Sequence, residues 1–187
     1  YWNDGGITGV WLYDHTRLCL GFMFFFLARS IAAAHVVWRG DHRGPTAAAD
    51  SDVRWGKDRE HGAYMYTELD KDKTIRDLQH SNRFLPVDNG SGIRFSDYVR
   101  DYIRHYKMPT GTFLLAARDA NGTFHDTPFT NWSRVTTHIC AKLGLERSDY
   151  GTQSCRRGCA SWLNACGVDF ENVGLLGFWL SSVVRRY

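Results

Sequence analysis

The chain has 187 residues, 43% of them hydrophobic and 23% charged, and a formal net charge of +3. That length fits one domain with an ordinary buried core, and the composition is that of a globular protein. The charge permits a nucleic-acid partner without demanding one. Five cysteines (Cys19, Cys140, Cys155, Cys159, Cys166), an odd number with no CxxC pair, point away from a disulfide framework and from a zinc site. They point instead to reduced thiols inside a cell, in cytoplasm or nucleus.

Residues 10–37 read as helical, apolar and rich in alanine toward the end (Ala32, Ala33, Ala34). Within them Leu18 to Ala28 is the most apolar run of the chain. It is short of the ~20 residues that span a bilayer and lacks a signal-peptide cleavage site, so a buried core helix is expected and no membrane. Residues 39–52, with Gly, Pro and Asp, read as a loop.

A β-rich region follows. Val53 to Trp55, Ala63 to Leu69 and Arg83 to Val87 are strand candidates. The last belongs at a sheet edge, because Pro86 has no N–H to give to a ladder. Between the second and third lies a polar turn holding Lys71 and Lys73.

Helical spacing resumes from Phe95 to Tyr106. It returns from Thr130, as N-cap, to Leu143, with Trp132, Val135, Ile139 and Leu143 on one face. Ser154 begins a helix that Gly167 ends, and Gly158 and Ala160 are small enough to let it approach a neighbour. Asp169 caps a short helix that stops at Gly177, and Ser181 or Ser182 begins a last one carrying Tyr187. The sum is α+β and mostly helical: helices, a small three-stranded antiparallel sheet, then helices.

The final stretch, GTQSCRRGCASWLNACGVDFENVGLLGFWLSSVVRRY, carries the chemistry. It sets an arginine (Arg156) at a helix start, an indole (Trp179) after a Gly-Phe turn, and Tyr187 behind Arg185 and Arg186. This pattern resembles the C-terminal half of the tyrosine recombinase, or phage-integrase-like, catalytic domain. The likeness extends to FFFLARSIAAAHVVW, which is similar to the family's Phe-Leu-Arg-x-x-Glu…Trp stretch. The Gly-x-Trp and Arg-Tyr ending looks most like recombinases of mobile elements.

The resemblance implies a helices–sheet–helices fold and DNA breakage and rejoining through a 3′-phosphotyrosine, with no metal and no cofactor. It implies Tyr187 as nucleophile and Arg29 and Arg156 as the phosphate-gripping pair, since a guanidinium donates two hydrogen bonds to phosphate and keeps its charge. Trp179 would donate to the scissile phosphate, and Lys73, ahead of Lys71 and Lys57, would protonate the leaving oxygen. Gln153 stands where the family has histidine and can hydrogen-bond but cannot take up a proton. Arg157, Arg134 and Arg185 are assigned to the DNA backbone. Double-stranded DNA is the implied partner, with a synaptic homotetramer in the full-length protein.

Two departures stand out: Ala32 replaces the acidic residue that would orient Arg29, and Gln153 replaces histidine. Residues 1–187 are expected to be one catalytic domain cut short at both ends, and a carboxylate beside the Tyr187 phenol would repel phosphate and slow cleavage. The alternatives are a DNA-binding remnant of the same fold without turnover, a type IB topoisomerase-like activity, and an unrelated α+β domain. Of the eight histidines (His15, His35, His42, His61, His80, His105, His125, His138), none shows metal-ligand spacing.

Overall fold

A computed structural model describes residues 9–38, 40, 53–60, 62–69, 82–88 and 90–177. The architecture is mixed α+β. Helix α1 (Gly9–Phe25) is followed by α2 (Ser30–Ala34), strand β1 (Val37–Trp38), and strands β2 (Val53–Asp58), β3 (Gly62–Glu68) and β4 (Asn82–Pro86). Then come α3 (Phe95–His105), β5 (Thr112–Phe113), α4 (Trp132–Leu143), α5 (Ser154–Ala165) and α6 (Phe170–Gly177).

Helix α1 is the hub. It is apolar nearly all round, which is the pattern of a helix enclosed by neighbours rather than one laid on a surface. Leu18, Cys19, Phe22 and Met23 are all buried in the main core. It contacts α2, α3 and α5. Against α3, Phe25 stacks on Phe95 at 5.1 Å and Phe22 meets the same ring edge-on at 5.7 Å. The Tyr98 hydroxyl donates to the Asp14 backbone oxygen at 2.6 Å, and the Tyr106 hydroxyl to the Asp14 carboxylate at 2.8 Å.

The single helix expected over residues 10–37 is two helices and a strand. The chain breaks at Phe26–Arg29, where Leu27 takes a φ of 48°, and Arg29 is extended ahead of α2. A left-handed leucine costs roughly 1–2 kcal/mol and persists only where packing fixes it; Leu27 is buried against α5 and α6. At the far end Val36, Val37 and Trp38 favour extended backbone. Val37 pairs with Phe113 and Trp38 with Thr112, forming a two-stranded ladder that local pattern did not reveal.

The three-stranded sheet has order β2-β3-β4, antiparallel throughout. Strand β4 lies at an edge, so Pro86 removes no interior hydrogen bond. Alternation puts Val53, Met65 and Leu85 into the core and leaves Phe84 outward, 62% exposed. Trp55 links sheet to helices, its indole N–H donating to the Ser96 backbone oxygen at 3.2 Å.

Two cap assignments shift. The N-cap of α4 is Asn131 rather than Thr130 and that of α5 is Gln153 rather than Ser154, neither making a side-chain cap bond. The Ser154 hydroxyl instead accepts the Gly151 N–H at 2.9 Å. Asp169 does cap α6, accepting the Asn172 N–H at 2.8 Å. No helix among the described residues is long and apolar enough to cross a membrane.

Candidate functional site

Arg156 lies in the first turn of α5 and is 3% exposed. One of its five N–H donors, on Nη2, goes to the carbonyl oxygen of Gly177, the last residue of α6. Its helix neighbours report a dry setting. Burial pushes the Cys155 thiol up to about 11 and the Cys159 thiol up to about 12. A guanidinium in such surroundings makes stronger hydrogen bonds than one in water.

Arg29 sits half-buried in the break between α1 and α2. Two residues earlier, Leu27 packs in one buried cluster with Cys159 and Ala160 of α5 and Val173 of α6. Cys159 is one turn beyond Arg156. The segment that leads to Arg29 is thus packed on the helix that bears Arg156. Ala32, at the position of the expected carboxylate, is 1% exposed within the core beside Ala33 and Ala34. A carboxylate there would have to be buried, and alanine avoids that cost.

Gln153 is exposed at the mouth of α5, and Arg157 is exposed on the same helix. Arg134 is exposed in the first turn of α4. Arg147 ties α4 to the approach to α5: Nε donates to Thr137 Oγ1 at 3.0 Å, Nη2 to Ser133 Oγ at 3.3 Å, and Nη1 to the Tyr150 carbonyl. Gly158 is exposed, and a Cβ there would meet open space, so the expected close approach belongs to Ala160 alone. Lys57 is exposed on β2. Lys71, Lys73, Trp179, Arg185 and Tyr187 lie outside the described residues.

One residue of this region was not anticipated. Arg83, on β4, is 6% exposed, and its Nη1 donates to the Leu176 carbonyl at 2.6 Å. The signal was present in the strand pattern: Leu85 faces the core, so a residue two positions earlier must face it too. Beside it an open apolar groove of about 480 Å³ runs between the α1–α2 break, β4, α5 and α6. Its walls include Phe25, Leu27, Leu85, Trp162 and Leu175.

No cluster of His, Cys, Asp or Glu able to hold a metal occurs among the described residues. Neither the protein-family models nor the curated proteins contain a match to this chain.

Proposed function

We propose that the chain breaks and rejoins DNA strands through a 3′-phosphotyrosine, as a tyrosine recombinase catalytic domain does. The observation that carries the reading is Arg156. A fully charged side chain is buried at the start of α5, bonded to the end of α6, one residue before the segment that contains Trp179 and Tyr187. The packing of the Arg29 segment on that same helix supports it. So does the order of elements, helices before and after a three-stranded antiparallel sheet.

In this reading Arg29 and Arg156 hold the non-bridging phosphate oxygens and offset the charge that builds on them. The Tyr187 hydroxyl gives up its proton to water as its oxygen attacks phosphorus, and the bond to the 5′-oxygen breaks as that oxygen takes a proton from Lys73. Trp179 donates its indole N–H to the phosphate, and Gln153 adds a neutral hydrogen bond. Arg157, Arg134 and Arg185 contact the duplex backbone. Each step is an in-line transfer, so the protein supplies position and positive charge.

A nicked suicide duplex tests the proposal, because loss of the short leaving strand traps the covalent product. The expected result is a protein–DNA adduct that Tyr187→Phe abolishes. An adduct that survives in Tyr187→Phe, or none in the wild type, rejects it.

A second reading is a DNA-binding protein of this fold without turnover. Ala32 in the core, at the position where the family has an acidic residue, favours it. Duplex binding without adduct would select it.

A further inference from the structure

We propose that the outward face of the three-stranded sheet is a stacking platform for the bases of an unpaired nucleic-acid strand, built on Tyr64, Tyr66 and Phe84. It stands apart from the cleavage reading, since a chain that forms no adduct on a nicked duplex can still hold a single strand.

Alternation along a strand sends every second side chain to the same face of the sheet. With Met65 and Leu85 in the core, Tyr64, Tyr66 and Phe84 face outward. The register sets Arg54, Tyr66 and Phe84 opposite one another, one row across all three strands. In that row the Arg54 guanidinium lies 5.0 Å from the centre of the Tyr66 ring, and Tyr66 and Phe84 are stacked at 5.5 Å. Phe84 also meets Tyr64 edge-on at 5.8 Å, so it joins the other two rings. Tyr64 stands opposite Gly56, where a Cβ would come within 2.6 Å of the ring. The Tyr64 ring therefore lies down across β2, which a side chain at position 56 would prevent. Glycine inside a strand marks such a close approach.

Cross-strand aromatic pairs also stabilise a sheet, by covering one another. Phe84 is not covered in this way. At 62% it is the most exposed aromatic side chain among the described residues, and it lies on an edge strand. An exposed ring beside two others offers a π face to an unstacked base, and such stacking holds bases without regard to sequence. The charge nearby fits a polyanion. Strand β2 and the turn after it carry Arg54, Lys57 and Arg59 against Asp58 and Glu60, three cations to two acids. Arg54 acts through its charge, which its hydrogen bonds do not remove. A proline-rich peptide also docks on aromatic surfaces, but its prolines bring no negative charge to these cations. Bases in a duplex are already stacked on one another, so the platform selects single strands.

Fluorescence anisotropy of a labelled oligothymidylate, compared with an abasic strand of equal length, measures the platform on the full chain. Wild type should bind the thymidine strand at least ~5-fold more tightly, since the two strands differ in bases and not in phosphates. Phe84→Leu keeps apolar bulk without a π face. It should weaken thymidine-strand binding about 5- to 100-fold and leave the abasic strand and a blunt duplex within roughly twofold. Phe84→Tyr, which restores the face, should bind as wild type does. A third measurement needs no variant: a strand carrying iodouracil, photocrosslinked to wild type, should attach at Tyr64, Tyr66 or Phe84. Equal affinity for thymidine and abasic strands overturns the platform in favour of charge alone. Wild-type affinity in Phe84→Leu, or crosslinks confined to residues off this face, overturns it as well. A proline-rich peptide that binds here more tightly than the strand overturns it in favour of a peptide site.

Discussion

The imidazole of His15 donates from Nε2 to the backbone oxygen of Leu115 across 3.0 Å, joining α1 to the turn after β5. A carbonyl can only accept, so the ring carries its proton on Nε2. Trp11 stacks on it at 4.7 Å and Phe129 meets it edge-on at 4.8 Å. Wholly buried among these rings, His15 is held neutral. Burial lowers its pKa from 6.5 to about 4, against the smaller opposing pull of the Leu115 carbonyl.

Acid should therefore weaken the fold through this residue. Above pH 6.5 the imidazole is neutral folded and unfolded, and stability does not depend on it. Between 6.5 and 4 the unfolded chain binds a proton that the folded one refuses, so stability falls as pH falls. The slope is at most ~1.4 kcal/mol per pH unit, roughly 3 kcal/mol across the interval, and below pH 4 it levels off. Urea unfolding from pH 7 to 4 on wild type and His15→Gln reads the difference, because glutamine keeps an N–H donor and does not titrate. Parallel stability–pH curves for the two proteins would refute the assignment.

Gly21 tests the contact between α1 and α3. In an exposed helix, alanine for glycine stabilises by ~1 kcal/mol. At Gly21 a Cβ would overlap the ring of Phe95, which is itself packed against Phe22, Phe25 and Tyr98. The ring would have to shift away from these partners to admit it. Gly21→Ala should destabilise by about 1–3 kcal/mol, as overpacked cores do. A melting temperature unchanged or raised in this variant would show that the helices can part without cost.

The thiols should divide by burial. Cys166 is exposed, Cys19, Cys140 and Cys159 are buried, and Cys155 lies between. Burial also pushes the Cys19, Cys155 and Cys159 thiols upward, away from the reactive thiolate. A chromogenic disulfide reagent at pH 8 should titrate Cys166 rapidly and the remaining four only as the protein unfolds. Rapid modification that persists in Cys166→Ser would contradict this packing.

What the sequence revealed follows from how local each feature is. Three strands, the edge position set by Pro86, and the stop at Gly167 depend on neighbouring residues, and pattern sufficed for them. The break at Leu27 did not show, because a leucine at φ 48° is set by its contacts with Cys159 and Val173, far along the chain. The β1–β5 ladder was missed for the same reason: two-residue strands carry no period, and Val37 finds Phe113 only in the fold. At the candidate site, Arg156 and Arg29 were legible as residue types in a familiar order. That Arg156 reaches the end of α6, and that Arg83 joins it there, required the packing of α5, α6 and β4.

Arg156 unites stability and chemistry, and two variants separate them. Arg156→Met removes the bond to Gly177 and leaves that carbonyl buried without its charged donor. The expected cost is about 1.5–3 kcal/mol of stability, the range for a hydrogen bond from a charged group, together with loss of adduct on the nicked duplex. Arg156→Lys keeps one positive charge and can still reach a carbonyl, so stability should recover in part. A lone ammonium has no planar fork for two phosphate oxygens, so adduct formation should remain at least ~100-fold below wild type, as when one charge-stabilising donor is removed. The two readouts should diverge in the lysine variant. If rate and stability instead rise and fall together in both variants, Arg156 acts only as the clasp of α6, and its contribution to phosphate chemistry has to be withdrawn.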